Sequence, residues 1–220
     1  MKKNTRYKII EFATQLFNRE GFGSISLHEL AKQMEMSRGN LTYHFKDKDA
    51  LLEAIVEEMW QKLETEKRES REFPSFKNLH HTARLYYKIQ QEFSFIFLDQ
   101  HVLNHPVLKS RFREITTQVI EDNKAAIAFA IRVGNLKPEP LPGAYNHIAF
   151  ITWMLSFYWL SQQVIRGERT GEESEKMIWS LLIPHFTEKG MQAFIDFFGE
   201  DYYQGLGEPF EVKLEDLISF

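Results

Sequence analysis

The chain has 220 residues, 43% of them hydrophobic and 26% charged, so it can bury a core and is not disordered by composition. It contains no cysteine, which excludes disulfide scaffolds, thiolate zinc sites, iron–sulfur clusters and cysteine nucleophiles. The first ten residues lack the apolar core of a secretory signal. We therefore expect a cytoplasmic protein.

Charge is unevenly distributed along the chain. Residues 1–48 contain nine Lys or Arg and five Asp or Glu, a net charge of +4. The whole chain has 27 basic and 31 acidic residues, so residues 49–220 carry a net charge of −8. This division predicts an N-terminal part that meets a polyanion and a C-terminal part that does not.

Two of the predicted N-terminal helices are marked by apolar periodicity. Apolar residues recur at three- and four-residue spacing over residues 7–17, and Gly21 ends that first helix. Asp47 is placed to cap a long fourth helix, whose apolar stripe extends to Leu63 and whose charged end reaches about Arg71.

Between these helices, residues 24–48 predict a helix-turn-helix. Ser26, with Glu29 three residues later, has the capping-box pattern, and Ser37 is placed to cap a second short helix after a break at residues 35–36. A helix fits the DNA major groove, where each base pair presents a distinct pattern of donors and acceptors. Composition alone fits equally well a helical hairpin with a polar exterior.

The side chains at the start of the second short helix suit contacts with DNA. Arg38 can bind guanine and Asn40 adenine in bidentate fashion, while Gly39 lets the helix approach the groove. Lys46 and Lys48 flank the next helix N-terminus, which favours a phosphate. The predicted DNA-binding residues are Ser26, His28, Ser37, Arg38, Gly39, Asn40, Thr42, Tyr43, His44, Lys46 and Lys48.

The remaining chain also has helical periodicity. Apolar residues at helical spacing predict helices from Phe76 to Phe97, over residues 107–132 after a break at Pro106, over 172–186 and over 191–198. No segment alternates as a strand would, and no repeat of 20–50 residues is present. The fold class is therefore predicted to be all-α.

Residues 140–165 contain no charged side chain. The run is long enough for a membrane span, but its dense apolar part, residues 148–160, is too short for one. We expect a helix that is buried on nearly every side, with a partner subunit covering the remaining face, and no membrane association.

Three segments resemble the DNA-binding head of the TetR family of bacterial regulators: FNREGF at 17–22, SLHELA at 26–31 and MSRGNLTYHFKDKDAL at 36–51. The resemblance implies a homodimer whose heads read adjacent major grooves of a palindromic operator, and a variable C-terminal domain that binds a small ligand and releases DNA. By position it implies a recognition helix at 37–44 and a phosphate anchor at Lys48. The family usually has Tyr where this chain has Thr42, and often Arg where it has His28.

The C-terminal part is rich in aromatic residues, since the chain has 19 Phe, 8 Tyr and 4 Trp. Some of them are expected to line an apolar pocket for a hydrophobic or aromatic ligand, whereas the alternative is that they form core. The ligand-binding candidates are Tyr86, Phe93, Phe97, His101, Asn104, Gln118, Trp153, Phe157 and Tyr158.

Two helices from each copy, over residues 144–165 and 172–186, are expected to form a four-helix dimer interface. The interface candidates are Trp153, Trp159, Ile178, Trp179, Leu182 and Phe186. Such an interface fixes the distance between the two recognition helices. A ligand in the body would then tilt the helix over residues 47–71 and change that distance.

No metal, cofactor or enzymatic site is predicted. His101 and His105 have the spacing of a helical metal pair, but Pro106 interrupts the helix and no carboxylate stands at a partnering spacing. The Gly-x-Ser-x-Gly, His-Glu-x-x-His and phosphate-loop motifs are absent from the sequence.

The sequence therefore predicts a helix-turn-helix head over residues 1–48, joined by a long helix to a helical ligand-binding and dimerisation body over residues 49–220. The expected function is a ligand-responsive, DNA-binding transcriptional regulator, with repression favoured over activation. Two alternatives remain open: a helical small-molecule carrier with an unused head, and an enzyme whose site lies in the aromatic body.

Overall fold

The computed structural model describes residues 5–69, 74–167 and 173–207. Within these ranges all regular elements are helical, and the single isolated β-bridge pairs Leu136 with Phe186. The α-helices are α1 (Thr5–Glu20), α2 (Leu27–Gln33), α3 (Arg38–His44), α4 (Lys48–Glu69), α5 (Phe76–Glu92), α6 (Ser94–Leu98), α7 (Gln100–Leu103), α8 (Pro106–Arg132), α9 (Ala144–Arg166), α10 (Glu173–Leu182), α11 (Glu188–Phe198) and α12 (Glu200–Gln204). The predicted all-α fold is confirmed.

Several helix ends differ from the prediction. The helix predicted over residues 76–97 breaks at Phe93, which separates α5 from α6. The helix predicted over residues 172–186 ends as α10 at Leu182, because Pro184 lies in a 3₁₀ turn over Ile183–His185. The predicted ends at residues 71 and 172 lie outside the described ranges.

The chain divides into two compact units, each made of several segments, and none of the boundaries between them lies at residue 48. The first unit takes the described residues within 1–71, 85–117 and 160–168. Its core joins buried residues of α1 and α4, such as Phe17 and Ile55, to buried residues of α6, such as Phe95. The head therefore shares its compact unit with elements from the middle of the chain, and Phe17 of α1 packs on Phe95 of α6.

The second unit takes the described residues within 72–84, 118–159 and 169–220. Its core is an aromatic cluster in which Trp179 of α10 packs on Phe76 and Phe194, with ring centroids 5.7 and 5.3 Å apart. α11 approaches the segment after α8 so closely that a Cβ on Gly190 would lie 2.0 Å from the carbonyl oxygen of Asn135. Leu206, beyond α12, is buried in this core.

α9 corrects one prediction. The sequence predicted a helix buried on nearly every side, but only 28% of its most apolar 18-residue window is buried within the chain. Phe150, Ile151, Met154 and Tyr158 are all exposed, at spacings that place them on one face. By length and composition α9 is apolar enough to cross a membrane, but one such helix is weak evidence for a membrane span.

Candidate nucleic-acid interface and ligand sites

The two short helices of the predicted motif are fixed by side-chain caps. Ser26 caps α2, because its hydroxyl oxygen accepts a hydrogen bond from the backbone N–H of Glu29 at 3.1 Å. Ser37 caps α3 in the same way, accepting from the N–H of Asn40 at 3.1 Å. Since isolated helices of seven residues are marginal in water, these caps and the buried Leu41 hold α3 in place.

The turn between α2 and α3 is a Schellman motif. The N–H of Met36 donates to the carbonyl of Ala31, and the N–H of Glu35 donates to the carbonyl of Lys32. Glu35 takes the left-handed conformation, with φ of 53°, which an L-residue other than Asn or Gly adopts at some cost. The break predicted at residues 35–36 is thus confirmed, and its geometry sets the angle between the helices.

The structure exposes the residues predicted to read bases. Arg38, Gly39 and Asn40 are exposed at the first turn of α3, and the Tyr43 side chain is 85% exposed. A Cβ on Gly39 would meet no atom within 4 Å, so glycine here is not required by packing within the chain. The exposed donors and acceptors at the first turn of α3 match what major-groove recognition requires.

The other predicted DNA-binding residues of α2, α3 and the α3 cap differ in exposure and in hydrogen bonding. His28 is exposed, whereas His44 is half-buried with its ring edge-on to Tyr43, at a centroid distance of 5.3 Å. The Thr42 hydroxyl donates to the carbonyl of Arg38 at 3.0 Å, so its proton is used within α3. The Ser37 oxygen accepts in its capping bond, which leaves its O–H able to donate to a phosphate.

The two lysines near the start of α4 have different surroundings. Lys46 has an 83% exposed side chain, with its ammonium 3.9 Å from Asp47. The Lys48 ammonium instead donates to the carbonyl of Phe22 and lies 4.1 Å from the centre of the Phe22 ring. Burial lowers the pKa of Lys48, and the neighbouring Asp49 carboxylate offsets part of that shift. Lys48 therefore has a structural role that the sequence did not show.

The aromatic residues predicted to bind a ligand are divided between the two units. In the first unit, Phe93 and Phe97 are buried, and the Tyr86 hydroxyl accepts a hydrogen bond from Lys67 at 3.2 Å. In the second unit, a ladder of rings runs along α9, where Trp153 and Phe157 stack with centroids 5.6 Å apart and Tyr158 lies beside them.

The three polar ligand candidates are exposed, contrary to their predicted place in a pocket. Asn104 donates to the carbonyl of Gln100 at 2.9 Å, and Gln118 donates to Asp122 at 2.8 Å. His101 is likewise on the surface. Asn104 follows α7 and bonds back to its first residue, and Gln118 bonds within α8, so both amides have local partners at the surface.

A cleft of about 360 Å³ lies in the first unit, and none of the predicted ligand residues lines it. Its apolar lining comes from α4 and α8, and its charged lining from these helices and α1. The residues are Arg6, Ala50, Glu53, Ala54, Val56, Glu57, Trp60, Val107 and Arg111. The buried indole N–H of Trp60 has no hydrogen-bond partner among the described residues.

Most predicted dimer residues are core residues of the chain itself. Trp159, Ile178, Trp179, Leu182 and Phe186 are all buried, so they offer no surface to a second copy. The apolar face of α10 turns inward because Trp179 packs on Phe76 and Phe194. Trp153 alone of the predicted set is half-buried and lies on the helix that exposes apolar side chains.

Sequence reasoning missed two groups of residues. The exposed Phe150, Ile151 and Met154 were signalled only by the uncharged run, which does not say which face points outward. Asn18 lies inside the first motif, yet its hydrogen bonds reach residues more than seventy positions away, for which the sequence carries no local signal.

Two family models match successive parts of the chain. One, described as bacterial regulatory proteins of the tetR family, matches residues 9–55, and the other, described as bacterial transcriptional repressor, matches residues 56–194. Together they span both the helix-turn-helix and the body. The chain belongs to the TetR family. It is therefore a DNA-binding transcriptional regulator with a ligand-binding C-terminal domain.

Two relatives match different lengths of this TetR-family chain. The probable HTH-type transcriptional regulator YttP of Bacillus subtilis is 41% identical over 61 residues, which are 28% of this chain and 30% of that protein. The HTH-type transcriptional regulator QacR of Staphylococcus aureus is 27% identical over 144 residues, 62% of this chain and 73% of that protein. The chain thus spans less than a third of the first relative's length.

Solved structures share the fold at low sequence identity. A TetR-family transcriptional regulator from Marinobacter aquaeolei has a TM-score of 0.77 and 20% identity, covering 90% of this chain and 98% of that one. AibR, in complex with isovaleryl coenzyme A and operator DNA, has a TM-score of 0.64 and 18% identity, covering 83% of this chain and all of that one. No enzymatic family is indicated.

The histidines considered for a metal take part in other contacts or lie at the surface. The Nε2 atom of His105 lies 3.4 Å from a carboxylate oxygen of Asp49, and its Nδ1 accepts from the N–H of Val107 at 3.4 Å. The described residues contain no group of three or more His, Cys, Asp or Glu side chains placed to hold a metal ion.

Proposed function

We propose that this chain is a dimeric transcriptional repressor of the cytoplasm, which binds a palindromic operator and is released from it by a small hydrophobic or aromatic molecule. The observation that carries the proposal is the exposed polar surface of α3, where Arg38 and Asn40 stand on a helix fixed by caps and by a Schellman turn. Such rigid presentation is what direct reading of base edges requires.

The dimer is supported by the exposed apolar face of α9. Phe150, Ile151, Met154 and Tyr158 are each between 39% and 45% exposed, and exposing such a contiguous face to water is unfavourable. A second copy of the same face forms a two-fold, isologous contact, which is the commonest symmetry of homodimers. We propose these residues, with Trp153, in place of the other predicted interface residues, which are buried in the chain.

DNA contacts are proposed for the exposed residues of the head. Arg38 and Asn40 read bases, and Ser26, Ser37, Tyr43 and Lys46 contact phosphates, with His28 and His44 at the edge of the same surface. Thr42 contributes less, because its hydroxyl proton is bonded to the carbonyl of Arg38. Lys48 acts through the α1–α2 loop that it holds.

The effector is proposed to bind aromatic rings of the body. AibR, whose fold this chain shares, was solved with isovaleryl coenzyme A and operator DNA together, which supports a body that takes a small molecule. Two sets of rings in this chain are available for the role: Phe93 and Phe97 in the first unit, and Trp153 and Phe157 in the second. A ligand that favours one body conformation changes operator affinity through a coupling free energy, typically about 1–3 kcal/mol.

Selection of DNA from a random duplex library by the full-length protein tests the proposal. We expect an enriched inverted repeat whose half-site centres lie about 34–36 Å apart or a multiple of that distance. Light scattering on the free protein should give twice the 26.1 kDa chain mass. A monomer, or enrichment of no sequence, would contradict the proposal and favour a carrier protein with an unused head.

Repression and release need two further measurements. A reporter promoter carrying the selected operator should lose transcription when the protein is added, whereas an activator would raise it. A library of hydrophobic and aromatic compounds is then screened for loss of operator binding. Once a compound is found, Phe97→Ala and Phe157→Ala decide between the two ring sets, because only one substitution should weaken its effect. If no compound changes operator affinity, the ligand-responsive part of the proposal is wrong.

A further inference from the structure

The break between α5 and α6 is capped by a side chain from α1. The Asn18 amide nitrogen donates to the carbonyl of Glu92, the last residue of α5, at 2.7 Å. Its amide oxygen accepts from the N–H of Phe95, in the first turn of α6, at 3.0 Å. The Asn18 side chain therefore provides a hydrogen-bond partner for a carbonyl at the end of α5 and for an N–H at the start of α6, two kinds of group that lack partners within their own helices.

The residue at the N-cap position of α6 does not cap the helix with its own side chain. Phe93, which precedes α6, takes φ of −115° and ψ of 40° and makes no side-chain cap. A helix end normally takes its cap from a neighbouring Ser, Thr, Asn or Asp. Here the cap comes from a residue 74 and 77 positions earlier in the chain, on the first helix of the DNA-binding head.

Further contacts fasten the head at the same place. The Phe17 ring packs on Phe95 with centroids 5.4 Å apart, and Phe22 stacks on Phe95 at 6.1 Å. The side chain of Glu92 also forms an ion pair with Lys62 of α4. The α5–α6 break is therefore held by both α1 and α4, so the head is oriented by two helices rather than by α4 alone.

We propose that Asn18 is a positioning residue for DNA recognition, which orients the helix-turn-helix against the α5–α6 break and so sets the spacing of the two recognition helices in the dimer. This inference rests on the proposed function. Asn18 touches no base. It acts because α2 and α3 follow α1, and any rotation of α1 about its contact with α6 moves Arg38 and Asn40 with it.

The test compares Asn18→Ala with Gln15→Ala, an exposed position on the same helix. Affinity is measured for the palindrome selected by the wild-type protein, for a single half-site, and for the palindrome with one base pair inserted at its centre. The insertion moves one half-site by about 3.4 Å and rotates it by about 35°.

For Asn18→Ala we expect palindrome affinity to fall about tenfold, because two hydrogen bonds of ordinary net strength are lost, while half-site affinity stays within about twofold. The wild-type protein should lose at least about tenfold affinity on the insertion and the variant less than about threefold. Gln15→Ala should behave as wild type. Equal loss on palindrome and half-site, or an unchanged response to the insertion, would overturn the inference.

Asn18→Asp provides a second variant if Asn18→Ala does not fold. It keeps the acceptor for the N–H of Phe95 but places an oxygen opposite the carbonyl of Glu92, where two acceptors repel each other. Its loss of palindrome affinity should therefore also exceed its loss of half-site affinity. Equal losses in this variant also overturn the inference. A wild-type protein that binds palindrome and half-site alike would instead overturn the proposed function, and this inference with it.

Discussion

α3 and α9 both expose side chains that the chain itself does not cover, but the chemistry of the two surfaces is opposite. α3 has seven residues, and its exposed side chains are mainly polar. α9 has 23 residues, and one face exposes Phe150, Ile151, Met154 and Tyr158. The polar surface is stable in water and gains a partner only by specific contacts, whereas the apolar surface is stabilised by any partner that removes it from water.

The two helices are also held differently. α3 is too short to be stable alone, so the Ser37 cap, the turn at Glu35 and the anchors Leu41 and Phe45 fix it. α9 is long enough to be held by burial of its other face, where Ala149 and Trp159 are buried. The proposed recognition of DNA by α3 thus depends on how the two ends of that helix are fixed. The proposed dimerisation through α9 depends on the area of its exposed apolar face.

The largest effect is expected on α9. Met154→Arg places a charge in the proposed interface and should weaken dimerisation by about 2–4 kcal/mol, a factor of about 30 to 1,000 in the dimer dissociation constant. Sedimentation equilibrium measures it. Ala128→Arg, an exposed position on α8, is the matched control and should leave the dimer intact. A Met154→Arg protein that remains fully dimeric at low concentration would place the interface elsewhere.

Next in size are the base contacts of α3. Arg38→Ala and Asn40→Ala should each cost about 1–3 kcal/mol of operator affinity and relax the preference at one position of each half-site. Binding-site selection with each variant shows whether the preference is lost. If discrimination is unchanged in Arg38→Ala, the assignment of that residue is wrong. Thermal unfolding should not change, because both side chains are exposed.

Smaller effects are expected for Lys46 and Lys48, and they concern two different quantities. Lys46→Ala should reduce the salt dependence of DNA binding by about one phosphate contact and leave stability unchanged. Lys48→Met should lower the free energy of unfolding by about 1 kcal/mol, because the Phe22 carbonyl loses its donor. Urea unfolding and a salt titration of binding measure the two quantities. If Lys48→Met changes only the salt slope, Lys48 is the phosphate anchor that the family resemblance implied.

The smallest effect concerns the turn before α3. Glu35→Asn should raise the free energy of unfolding by about 0.5 kcal/mol, because Asn tolerates the left-handed conformation better than Glu. Urea unfolding checks it. Glu57→Asn, an exposed position on α4, should instead lower stability by a few tenths of a kcal/mol through helix propensity. A destabilised Glu35→Asn protein would mean that the Glu35 side chain itself stabilises the turn.

The sequence alone determined the features that depend on local physics. Ser26, Ser37 and Asp47 were predicted as caps, and each accepts the expected backbone N–H in the structure. A cap involves groups only three residues apart, so its signal is local. The same holds for the end of α1 at Gly21, whose φ is 83°.

Only the tertiary structure decided which apolar face turns inward and which distant groups meet. The uncharged run predicted that α9 is buried on nearly every side, and helical periodicity predicted an apolar face on α10. In the structure α10 buries its face on Phe76 and Phe194, while α9 leaves one apolar face exposed. Periodicity shows that a face must be covered and not what covers it. The turning of Lys48 onto Phe22 and the capping of α6 by Asn18 join residues 26 to 77 positions apart, and such contacts exist only once the helices have packed.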